Sequence, residues 1–283
     1  MIYNFQVGKV ALIKMKYPQK SSKKDLDSAY FDGTNFIENK LGKRRMQKIR
    51  IILDKFANDD TSLKKHTVNG KLTAKRNKLH KEIIRRQFKN KNTIDRKDPD
   101  LYIFGGLPAS AKTTVLGSKV PEKTIVIDSD AYKKKLAHKT RSPLPKYPLA
   151  HAGLLHAESD LLIDEALKKA IREKRDVTFD GTMKTPKKSR KLIARFKRAG
   201  YDIHYMGTQK KPALALKHAS RRFIKKGRLV PLGYIREHGN IISQNSWDAR
   251  ILGDSFQIWD TNTRNPKLVT KSKKGMKYNF RNP

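Results

Sequence analysis

From residue 101 onward, apolar positions fall into short blocks separated by longer stretches of helical period. The blocks at 101–104, 124–127, 176–179 and 201–206 read as strands. Between them, Leu155, Leu162, Ile163, Ala166, Leu167, Ala170 and Ile171 recur on one face of a helix over 151–174. Thr185 and Pro186 read as the N-cap and first residue of a second helix. Leu192, Ile193 and Phe196 give it a buried stripe, and Gly200 ends it. Lys211-Pro212 opens a further helix. Strand and helix in alternation predict an α/β fold, a parallel sheet flanked by helices. Ligands of such sheets sit beyond the carboxyl ends of the strands. Three of those ends carry Gly105-Gly106, Asp128-Ser129-Asp130 and Asp180-Gly181-Thr182.

The first hundred residues follow another pattern. Ile2, Tyr3, Phe5 and Val7, then Val10, Leu12 and Met15, alternate as one or two short strands. Residues 17–35 read as a polar connection. Ile49, Ile52, Leu53 and Phe56 place a helix over 36–57, and Asn58 to Ser62 breaks it. A further helix runs from the N-cap Thr73 to Phe88, with Leu79 and Ile83 on one face. A polar linker at 90–100 follows, and no internal repeat is visible. The chain divides into a basic N-terminal extension, 1–70, and an α/β unit, 71–283.

Composition adds charge. The 283 residues hold 65 Lys and Arg against 26 Asp and Glu, a net of +39. Residues 1–100 hold 26 against 11 and residues 101–283 hold 39 against 15, so the excess is spread along the chain. Such a field draws nucleic acid or another polyanion, although a solvated lysine-rich surface has the same composition. No zinc-finger, RNA-recognition or helix-turn-helix signature accompanies it. Without cysteine there is no disulfide, thiolate metal site or cysteine nucleophile. No apolar run suits a membrane span, and Lys9, Lys14 and Lys16 interrupt the N-terminus where a secretory signal needs an apolar core. The expected location is therefore the cytoplasm, without a membrane partner.

The block at 101–104 runs into Gly105-Gly106-Leu107-Pro108-Ala109-Ser110-Ala111-Lys112-Thr113-Thr114. This nearly matches the phosphate-binding pattern G-x-x-x-x-G-K-[ST]. In such a loop, backbone N–H groups curl round the phosphates. Lys112 would bridge the outer phosphates, and the Thr113 hydroxyl would hold Mg²⁺. Ala111 stands where the pattern wants glycine, so a methyl group must find room there. A small-residue turn, or a loop that has lost its nucleotide, are the rival readings. At the next strand end, either Asp128 or Asp130 caps the following helix, or Asp130 serves as a base. Asp180 is a turn residue or a ligand. Lys217, Arg221, Lys225 and Arg228 are spaced as one positive helix face, solvated or gathered round an anion. His156 and Glu158, in the segment H-A-E-S, read as helix surface or substrate contact.

Several pieces then fall in a recognisable order: KRNKLHKEIIRRQF, GGLPASAKTT, VIDSDAYKK, LLHAESDLLIDEAL, VTFDGTMKTPKK and RRFIKKGRLVP. Over residues 73–274 the chain resembles the zeta toxin family of P-loop kinases, especially zeta-like proteins of phage and prophage genomes. The resemblance implies transfer of the ATP γ-phosphoryl group to a sugar hydroxyl of UDP-N-acetylglucosamine, with Mg²⁺. It makes residues Gly106 to Thr114 the nucleotide loop, with Lys112 catalytic and Thr113 on the metal. Asp130 becomes the general base, and Asp180 a substrate or metal ligand. Thr182 and Glu158 become substrate contacts. Arg228 faces phosphate with either Arg221 or Arg222. An antitoxin partner is implied as well. Two rival functions remain: a kinase acting on a nucleic-acid hydroxyl, suited to the charge, and a silent protein that binds DNA or docks on a phage particle.

Overall fold

A computed structural model describes residues 20–57, 61–89, 98–139 and 152–272. The strands expected within 1–16 lie outside them. The chain enters through α1 (Lys23–Leu41), α2 (Lys43–Ala57), the short α3 (Thr61–Lys65), a hairpin of β1 (Thr67–Val68) and β2 (Lys71–Leu72), and α4 (Ala74–Lys89). The α/β unit then runs β3 (Asp100–Gly105), α5 (Lys112–Leu116), β4 (Ile125–Asp128), α6 (Ser129–Lys139), α7 (His156–Arg172), β5 (Val177–Asp180) and α8 (Pro186–Arg198). It ends with β6 (Asp202–Gln209), α9 (Pro212–Lys226), α10 (Leu232–Asp248), β7 (Ser255–Asp260) and β8 (Lys267–Lys271).

Six strands form one sheet in the order β4-β5-β3-β6-β7-β8. All neighbours pair in parallel except β7 with β8, which closes one edge antiparallel. Leu101, Ile103, Val177 and Ile203 are wholly buried, as expected of inner parallel strands covered on both faces. Register places Phe104 beside Asp180, and Asp180 beside Asp128. The phosphate-loop strand and both acidic strand ends therefore open on one side of the sheet.

The expected connection over 17–35 is instead largely helical. Ser22 caps α1 by accepting from the Asp25 amide, and Asp25 accepts in return from the Ser22 amide. The buried stripe is Leu26, Ala29, Gly33 and Ile37. Two of these are small because α9 lies close: a Cβ on Gly33 would meet Ser220 Oγ at 2.6 Å. The single helix expected over 36–57 is two, broken at Gly42, whose left-handed φ of 77° ends α1. Asp27 pairs with Arg236, and Lys217 lies 3.1 Å from Asp32. Asn240 accepts from the Ser21 amide at 3.1 Å and donates to its carbonyl at 3.0 Å. The N-terminal helix is thus fastened to α9 and α10.

Candidate active site

Beyond Gly105 the chain must turn under β6. Gly106 has φ 133°, and a Cβ there would meet the Thr208 carbonyl oxygen at 2.7 Å, so glycine is required. Ser110 Oγ lies 2.7 Å from Thr208 Oγ1 and ties the loop to β6. Leu107 is buried with α1 and α9, and only its carbonyl serves the loop. Ala111 takes φ 63° and ψ 23°, the left-handed conformation natural to the glycine of the pattern. An L-residue holds it at a cost of roughly 1 kcal/mol. Ala111 is exposed and lines a cleft, so its methyl group faces open space.

That cleft has a volume of about 1350 Å³. Lys112 donates from Nζ to the carbonyls of Gly106 (3.1 Å) and Leu107 (3.0 Å), and lies 3.8 Å from Asp180 Oδ1. Thr113 Oγ1 donates to Asp180 Oδ2 at 3.1 Å. Asp128 accepts from the Asp130 amide at 2.9 Å and so caps α6. This leaves the Asp130 carboxylate for Arg228, with which it forms an ion pair. Burial shifts these groups toward their neutral forms. It pushes Asp180 up, against the pull of Lys112, and Lys112 down, against the pull of Asp180. Asp128 is likewise raised by burial.

Most residues expected at the site meet here. Pro108, Ala109, Ser110, Thr114, Thr182 and Arg221 line the cleft with those just described. The two candidate arginines separate. Burial lowers the pKa of Arg222, while the charges of Asp128 and Asp180 raise it, so its guanidinium stands in their field; Arg221 is exposed.

Two expectations fail. Glu158 is no substrate contact: it lies in the first turn of α7, wholly buried and outside the cleft lining. Arg76 donates to it from Nε at 2.5 Å and from Nη2 at 2.8 Å, His80 Nε2 lies at 2.8 Å, and the Ser62 hydroxyl also donates. Burial raises its pKa, but the hydrogen bonds from His80, Arg76 and Ser62 outweigh this and hold it at about 2. The positive face of α9 also dissolves. Lys217 turns to Asp32, and the helix ends at the left-handed Gly227, so Arg228 lies beyond it.

Other residues of the cleft lining have no place in the phosphate-loop pattern. Lys133 and Lys134 come from α6, Lys184 and Lys188 from the approach to α8 and its first turn, and Tyr234 from α10. Lys184 Nζ stands 4.6 Å from the centre of the Tyr234 ring.

The zeta toxin family model matches residues 84–248, more than half the chain. The chain belongs to the zeta toxin family. The match runs from the last turns of α4 through α10 and so includes every residue of the cleft lining. No curated relative matches. Among solved structures, a chain of the PezAT chromosomal toxin–antitoxin system of Streptococcus pneumoniae aligns with a TM-score of 0.52 at 17% identity, over 72% of this chain and 84% of that one. The AvrRxo1-ORF1:AvrRxo1-ORF2 complex with ATP gives a TM-score of 0.58 at 16% identity, over 71% and 68%. The same complex with sulphate ions gives 0.57 at 16%, over 71% and 69%. At these identities the likeness is one of fold, a P-loop kinase-like α/β sheet. No helix among the described residues is long and apolar enough to cross a membrane.

Proposed function

We propose that this zeta toxin family chain is an ATP-dependent kinase that phosphorylates a hydroxyl of a small acceptor, with a nucleotide sugar of the UDP-N-acetylglucosamine type as the family's substrate. The observation that carries the reading is the convergence of Lys112, Thr113, Asp180, Asp130 and Arg228 on one cleft at the carboxyl ends of the strands. The AvrRxo1 complex with ATP supports nucleotide use within this fold.

Each residue then has a task. The loop from Gly106 to Thr114 wraps the phosphates, and Lys112 exchanges its carbonyl partners for phosphate oxygens. Thr113 and Asp180 offer adjacent hard oxygen donors that fit Mg²⁺, which takes one or two protein ligands and completes its shell with phosphate and water. This suits a cleft in which no three metal-binding side chains cluster among the described residues. Bound ATP and Mg²⁺ would supply the phosphoryl group and offset its charge. Asp130 accepts the proton of the acceptor hydroxyl as the new P–O bond forms and ADP leaves. Arg228 must first turn from Asp130 toward the phosphates, where Arg222 joins it. Thr182 contacts the acceptor.

Glu158 and its partners instead brace α7, and the N-terminal segment acts as a buttress behind α9 and α10. The PezAT neighbour belongs to a toxin–antitoxin system, which supports an antitoxin as a partner here.

The test is ATP-dependent transfer to UDP-N-acetylglucosamine. Lys112→Ala and Asp130→Ala should each lower it by at least ~100-fold. Transfer that survives both substitutions removes this active site. Calorimetric titration with Mg²⁺ and ATP addresses the silent reading, which predicts no binding.

A further inference from the structure

Positive charge is abundant everywhere on this chain, so the informative feature is where carboxylates are missing. Among the described helices longer than five residues, only α8 and α9 contain no Asp or Glu. Helix α8 carries seven Lys and Arg residues in 13 positions, and α9 carries five in 15. Both helices wall the cleft, α9 through Arg221 and Arg222, α8 through Lys188 and Leu192. The proposed kinase reaction gives the α9 cations a triphosphate. It gives the α8 cations nothing.

On α8, Arg195 is held by Asp164 at 3.0 Å and Lys197 by Asp254 at 2.9 Å. Lys187, Lys188, Arg190, Lys191 and Arg198 are exposed and form no ion pair among the described residues. The helix begins at the cleft, since β5 ends there, and runs back along the sheet toward the start of β6. Its unpaired charges extend for about 16 Å. The cleft lining also includes apolar side chains of one packed cluster, Ile163 and Leu167 of α7, Phe179 of β5 and Leu192 of α8, together with Lys133 and Lys188. An apolar patch for a flat ring, continued by a row of cations, matches a chain of nucleotides. An acidic protein surface would match the cations but not the patch.

Helix α4 is the internal control. It too exposes Lys75, Lys78, Lys81, Arg85 and Lys89. There, however, Lys81, Arg85 and Lys89 share a groove with Glu165 and Glu173, and the helix does not reach the cleft.

We infer that the exposed face of α8 binds a single strand of nucleic acid, with one end nucleotide on the apolar patch of the cleft and the preceding phosphates along Lys187, Lys191 and Arg198. This goes beyond the kinase reading, because binding needs no turnover. It also makes a strand-end hydroxyl a candidate acceptor in the same cleft.

The experiment is fluorescence anisotropy of the full chain with a labelled single-stranded oligonucleotide across a salt series. The wild type should bind with a log K against log salt slope of about −3, as expected for four to five phosphate contacts. Replacing Lys187, Arg190, Lys191 and Arg198 with Gln should weaken binding about tenfold or more and flatten the slope. Replacing Lys75, Lys78, Arg85 and Lys89 should change it less than about threefold. Both variants should still bind Mg²⁺ and ATP, which shows that they fold. An equal loss in the two variants means diffuse charge and overturns the inference. So does binding to anionic phospholipid vesicles without binding to the oligonucleotide. Should the α8 variant not fold, acetylation footprinting of the unaltered protein decides. The oligonucleotide should protect Lys187 and Lys191; protection of Lys75 and Lys78 instead overturns the inference. Because ATP binding is read separately, loss of the kinase reading and loss of this one are distinguishable.

Discussion

Glu158 and Asp180 are both carboxylates at the margins of the same sheet, yet their surroundings drive them in opposite directions. Glu158, in α7, is wholly buried and accepts from Arg76, His80 and Ser62. Its charge is secured, at a pKa of about 2. Asp180, at the end of β5, has one hydroxyl donor and a lysine 3.8 Å away, and its pKa is raised by burial. A carboxylate with every oxygen engaged is structural. One left under-coordinated in a cleft has its bonding capacity free for a ligand. The backbone divides the same way. Ala109, Ala111 and Met183, all left-handed at φ 60°, 63° and 53°, lie in the cleft wall. Strain and unmet polarity gather where phosphate is expected to bind.

The largest effect should come from removing the secured carboxylate. Glu158→Ala removes the buried carboxylate that Arg76, His80 and Ser62 converge on, which costs roughly 3–5 kcal/mol. Denaturant unfolding measures this, and a loss under about 1 kcal/mol would break the comparison.

Acid is the next test. A carboxylate whose folded pKa is depressed contributes stability above its ordinary value, and loses it as pH falls through the folded one. For Glu158 that window runs from 4.5 down to about 2. The loss across it should be about 3 kcal/mol at most, and Glu158→Gln should flatten it. Asp180 and Asp128 carry the opposite sign. Their pKa values are raised, so their contribution is greatest below the ordinary value of 3.8 and is lost as pH rises through the folded value. A stability profile unchanged by Glu158→Gln would contradict the assignment.

Asp180→Asn sharpens the contrast from the other side. Replacing a carboxylate that folding disfavours with a neutral amide should leave stability within about 1 kcal/mol, or raise it. Phosphoryl transfer should nevertheless fall by about 100-fold. Thermal melting and transfer assays on one preparation check both halves.

Legibility in the sequence followed the same divide. The inner strands could be read because burial on both faces leaves continuous apolar runs such as residues 101–104. The glycine turn after β3 could be read because a strand-to-helix loop fixes residue types at short spacing, whereas the residues alone left open whether Asp128 or Asp130 caps α6. Helix α1 could not, because its stripe is built on Ala29 and Gly33, which carry little hydrophobic signal and exist to let α9 approach. Glu158 looked available because its partners Arg76, His80 and Ser62 lie 78 to 96 residues away in sequence. Arg221 and Arg222 could not be told apart, since both reach the cleft and only the fold says which stands in the field of Asp128 and Asp180.

The smallest effect should be at Ala111, where the strained cleft can be relaxed without touching its chemistry. Glycine would adopt the left-handed φ of 63° freely, removing roughly 1 kcal/mol of strain. It would also give the unfolded chain more freedom, which offsets about 0.4–1 kcal/mol of that gain. Ala111→Gly should therefore shift stability by well under 1 kcal/mol. The Ala111 methyl faces the cleft, and the loop already holds the conformation the phosphate pattern demands, so ATP affinity should change by no more than a few-fold. A large gain in affinity would mean that the methyl group obstructs the phosphates, and the natural loop would then belong to a protein that has given up its nucleotide. An unchanged affinity would show that a left-handed alanine does the work of the missing glycine.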